Sequence, residues 1–128
     1  MAVAGSITVT TSRDGPLTKY SCAWTSDAAG DVTECAVALK AGQIVQVVCS
    51  PGATTPSDDY DVTLTQASGE GDILNGKGTN MSNSLSNLVK LISATLDHLA
   101  IWIPAGNYWP TVANGGNAKT GTIDIYMI

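Results

Sequence analysis

Three groups of side chains in this 128-residue sequence are of types that could do chemistry: Cys22, Cys35 and Cys49; the acids Asp58, Asp59, Asp61, Glu70 and Asp72; and the aromatics Trp102, Tyr108 and Trp109. Thiols can bridge or bind a soft metal, carboxylates can hold calcium or act as a general acid and base, and aromatics can stack on a partner. Spacing, and the strands that carry each group, decide which of these is open.

The cysteines fall on three successive stretches of strand-like alternation. A hairpin centred between Ala28 and Ala29 pairs Cys22 with Cys35, Tyr20 with Val37 and Trp24 with Thr33. A second hairpin centred on Gly42 pairs Cys35 with Cys49 and Val37 with Val47. All three thiols then form one row across a three-stranded meander, an arrangement that offers an oxidisable pair or an intersubunit bridge. The same row also reads as three small buried side chains packed beside Trp24 and Val47. Three cysteines and the lone His98 lack any short ligand spacing, so no metal is expected.

The acids do not match the twelve-residue calcium loop, and Asp favours turns for its own local hydrogen bonds. A hydrolase needs two carboxylates across a cleft, whereas Asp58 and Asp61 share one loop. Asp97 points to the opposite face of a strand from His98, so the two make no relay. No Gly-x-Ser-x-Gly elbow occurs, and Gly69-Glu70-Gly71 and Gly76-Lys77-Gly78 are too short to cradle phosphate. No catalytic residue and no cofactor is expected, and the chain does not read as an enzyme.

Trp102, Tyr108 and Trp109 surround the turn Pro104-Ala105-Gly106-Asn107 in a chain with no Phe. They read either as a contact patch for a neighbouring subunit or a glycan, or as a cover over one end of the core.

Strands are expected at 6–12, 17–26, 32–39, 44–49, 60–66, 99–103, 108–113 and 120–128, separated by Gly, Pro, Asn and Asp. Met81, Leu85, Leu88, Val89, Ile92 and Leu96 fall at helical spacing with Ser84 placed to cap, which predicts a short helix near 84–93. An extended segment over Val89 to Ile92 satisfies the same apolar positions. About eight strands predict an all-β fold, a single antiparallel β-sandwich or jelly-roll-like barrel over residues 1–128.

A net charge of -5, with six scattered basic residues, speaks against nucleic-acid binding. Met1 to Ser6 does not read as a secretory leader and no run approaches 18 apolar residues, so a cytosolic origin and no membrane contact are expected.

The runs from Tyr20-Ser21-Cys22-Ala23-Trp24 to Ala29-Gly30, from Pro51-Gly52-Ala53 to Tyr60-Asp61-Val62-Thr63-Leu64-Thr65, and from Asn114-Gly115-Gly116-Asn117-Ala118-Lys119 to Ile123 resemble a group of small tailed-bacteriophage virion proteins. The resemblance covers about half the chain and carries no catalytic motif. It implies a structural component of the virion assembled in the host cytoplasm: a capsid decoration (cement) protein first, a neck or collar protein second. The implied partners are copies of itself, with trimers well suited, and a major capsid or neck protein. The cysteines and residues 79–113 depart from the family. A carbohydrate-binding β-sandwich, stacking sugar on Trp102, Tyr108 and Trp109 beside Asn107 and Asn114, is the reading from another class.

Overall fold

The computed structural model describes residues 5–33, 35–66, 73, 74, 78–89 and 101–128. Over these the chain is all-β, with strands β1 (Ser6–Asp14), β2 (Leu17–Thr25), β3 (Val37–Leu39), β4 (Gly42–Pro51), β5 (Asp61–Thr65), β6 (Asn87–Val89), β7 (Ile101–Ile103), β8 (Gly106–Ala113) and β9 (Thr120–Met127). They form two antiparallel sheets, as expected of a β-sandwich. The larger runs β1-β2-β9-β4, with β6 and β7 end to end on the far side of β4; the smaller runs β3-β8-β5.

Alternation in the sequence dictates which faces meet. Thr18, Tyr20, Cys22 and Trp24 of β2 and Ile123, Ile125 and Met127 of β9 turn inward, against Val37, Leu39, Val62, Leu64, Tyr108 and Val112 of the smaller sheet. Strand β4 would lose this match, because Ile44 and Val47 have opposite parity. A register shift between Ile44 and Gln46 restores it, so that Ile44, Val47 and Cys49 are all fully buried.

Two expectations are corrected. The helix near 84–93 is absent where the chain is described: Asn87–Val89 is strand β6, paired with Val47 to Cys49. Residues 90–93 lie outside the described residues. A short apolar run satisfies either period, and the open edge of β4 selects the extended one by accepting its backbone groups.

The expected meander is also replaced. β2 is flanked by β1 and β9, while β3 joins β8 in the opposite sheet. The stretch after β2 is not a hairpin turn, because Asp27 Oδ1 accepts the N–H groups of Ala29 and Asp31 (2.9 Å each) and Val32 bridges to Val112. The chain thereby crosses from one sheet to the other.

Candidate functional site

The true registers rearrange the thiols. Cys22 and Cys49 both oppose Ile123, from β2 and β4 respectively, so two of the three do lie in one row with an isoleucine between them. Strands about 4.8 Å apart put their Cα atoms about 10 Å from one another, beyond the ~7 Å limit for a disulfide. Burial, with Asp124 adding to it, pushes both thiols up to about 12, which keeps them protonated and unreactive. Cys35 is not in this row. It is half-buried, and its Sγ–H donates to Gly5 O at 3.6 Å. All three cysteines are free.

The three aromatics are likewise parted. Tyr108 is a core residue, 1% exposed, with its hydroxyl donating to Pro104 O at 2.7 Å. Trp109 alternates to the outside of the smaller sheet, opposite Thr65. Trp102 is 74% exposed on the outer face of the larger sheet, opposite Gln43. Their nearness in sequence misled because β7 and β8 belong to different sheets, and alternation along β8 separates Tyr108 from Trp109.

What Trp102 does join is a residue that sequence reasoning passed over. Gln43 exchanges backbone hydrogen bonds with Ile128 (3.1 and 2.9 Å) on its other side. Ile128, 53% exposed, and Trp102 therefore flank Gln43 in one row at the end of the larger sheet. Two large apolar side chains here face solvent on either side of Gln43, the kind of exposed apolar surface that suits a partner contact. The only sequence signal was alternation, which points Trp102 of β7 outward and, carried one residue past β9, does the same for Ile128.

The acids act as turn builders. Asp61 accepts the Asn80 N–H (3.0 Å) and the Asn114 Nδ2–H (2.9 Å), and Asp58 accepts the Asn83 N–H (3.2 Å). Among the described residues no group of three or more His, Cys, Asp or Glu is placed to hold a metal ion. Glu70, Asp72 and His98 lie outside the described residues.

These turns belong to a knot of loops at the end of the sandwich opposite Trp102. Ser26, 1% exposed, donates its Oγ–H to Gly116 O (2.5 Å) and accepts the Lys119 N–H (2.9 Å). Gly115 N–H donates to Gly30 O, Ser57 N–H to Gly115 O, and Thr120 N–H to Thr54 O. Asn114 and Ala118 hold the left-handed conformation here at φ 60 and 52. Beneath the knot Trp24 packs against Tyr60, ring centroids 5.6 Å apart, and over the bare Cα of Gly121. Tyr60 Oη and Trp24 Nε1 are buried without a hydrogen-bond partner among the described residues. Burial first, and the neighbouring Cys49 second, push the Tyr60 hydroxyl well above its usual range. Residues from the segments 20–30, 51–65 and 114–123 meet in this knot.

No protein-family model, curated protein or solved structure matches the chain.

Proposed function

We propose that this chain is a structural protein of a tailed-phage virion, a capsid decoration protein that binds the head shell by repeated protein-protein contacts. The observation that carries the reading is the exposed row of Trp102 and Ile128 at one end of the larger sheet. An exposed aromatic and an exposed aliphatic side chain in one row suit an interface, and a shell that presents the same site many times turns a weak contact into stable coverage. The resemblance of residues 20–30, 51–65 and 114–123 to small virion proteins supports the setting. In this reading the chain has no catalytic role, and its partners are a major capsid protein and copies of itself.

A neck or collar position would use the same surface. A carbohydrate-binding module is disfavoured, since Trp102, Tyr108 and Trp109 lie outside one sheet, inside the core and outside the other sheet, and cannot form one stacking platform.

Cryo-electron microscopy of the intact particle tests the reading. Density for the sandwich on the head shell, with Trp102 at the contact and occupancy falling at least tenfold for Trp102→Ala, is the expected result. Absence from the particle, together with sugar binding on a glycan array, would overturn it.

A further inference from the structure

We propose that β1 is the contact through which two copies of this chain join, edge to edge and antiparallel, about a two-fold axis at Val9. This goes beyond the virion reading, because a protein in any setting could carry such an edge.

Sheet edges invite pairing with other chains, and folds protect them by making them short, covering them or charging them. Here the other edges are protected in those ways among the described residues. Strands β3, β6 and β7 are three residues long. The outer side of β5 is covered, with Val62 N–H donating to Gly78 O (2.7 Å), Ile73 N–H to Leu64 O (2.7 Å) and Met81 N–H to Tyr60 O (2.8 Å). β1 differs on each count. It is nine residues long, pairs only with β2, runs in unbroken register, and has neither proline nor charge before Arg13. Its side chains are exposed save Ile7, and Val9 is 39% exposed.

The hairpin tells which backbone groups are free. Gly15, at φ 58, opens a two-residue loop closed by Asp14 and Leu17, so that pair exchanges ladder hydrogen bonds, as do Ser12, Thr10, Thr8 and Ser6 with their partners on β2. Ile7, Val9, Thr11 and Arg13 therefore turn their N–H and C=O groups to the open edge.

A partner edge must be as long and as bare. Among the described residues only β1 of a second copy meets that condition, which selects an isologous, two-fold contact in place of the trimer suggested by the family resemblance. Centring on Val9 opposes Val9 to Val9 and Ile7 to Thr11, and Thr11 to Ile7 by symmetry. Three pairs exchanging two bonds each give about six hydrogen bonds, within the range usual for a protein interface. The stretch Ser6 to Ser12 carries no charge in a chain of net charge -5, so the copies meet along an unrepelled line.

Sedimentation equilibrium of the purified chain over a wide concentration range is the first measurement, with a species of twice the 13.1 kDa chain mass expected. Val9→Lys, or Val9→Pro, which deletes an outward donor and leaves the ladder to β2 intact, should weaken that dimer at least tenfold. In a Cys35→Ser background, Val9→Cys should cross-link to itself on oxidation and Ile7→Cys should not. A chain that stays monomeric or trimeric, a dimer indifferent to Val9→Pro, or equal cross-linking at both positions would overturn the proposal. Each of these outcomes leaves the capsid reading to its own test.

Discussion

The loop knot and strand β1 are built from much the same small polar and β-branched residues, yet they treat their backbone groups in opposite ways. In the knot, Ser26 bonds to Gly116 and Lys119, Gly30 to Gly115, and Thr54 to Thr120, all across long sequence separations. In β1, one side of the backbone is paired with β2 and the other faces solvent. The knot is thus a device for holding one conformation, and the edge is a surface left open. The knot residues speak to how the chain folds, whereas the proposed contacts with a partner rest on Trp102, Ile128 and β1.

The largest expected effect strikes the core that supports both regions. Cys22 and Cys49 are held protonated, their pKa raised from 9.0 to about 12, so the folded state binds protons that the unfolded chain has released. Stability is therefore whole below pH 9 and falls between pH 9 and 12, by about 1 kcal/mol per pH unit for each thiol. Urea unfolding at a series of alkaline pH values should show the slope, and a Cys22→Ala, Cys49→Ala double variant should flatten it.

Next comes the floor of the knot. A Cβ on Gly121 would run into the Trp24 ring, so Gly121→Ala should cost about 3 kcal/mol in a denaturant titration. Ser26→Ala strands the half-buried Lys119 N–H and Gly116 carbonyl and should cost about 1 kcal/mol by the same measurement. Losses below about 0.5 kcal/mol in both would mean that the knot is no clamp. The smallest effect belongs to the edge: Val9→Lys should leave monomer stability within about 0.5 kcal/mol while weakening the proposed dimer at least tenfold. A large loss of stability would instead make β1 a structural strand, and the contrast between the two regions would fail.

Much of the element structure was legible in the chain. Ser6 to Ser12, Ile44 to Cys49 and Thr120 to Ile128 announce strands by alternation and β-branching, and Asp14-Gly15-Pro16 announces the turn where it occurs. The candidate site was legible only in part: Trp102 is exposed, but Tyr108 fills the core, and Ile128 was signalled only by the alternation of the closing strand. Cys22 and Cys49 share a row through Ile123, while Cys35 left it when the loop after β2 crossed to the other sheet.

The sequence by itself determined that strands form and which of their faces are apolar, because alternation and turn chemistry act within a few residues. Tertiary structure alone decided which strands are neighbours, since pairing depends on contacts such as Cys22 with Ile123 or Ser26 with Lys119 that lie about a hundred positions apart. From that non-local choice follow the split of the aromatics, the buried and unbridged thiols, and the one long edge left bare among the described residues.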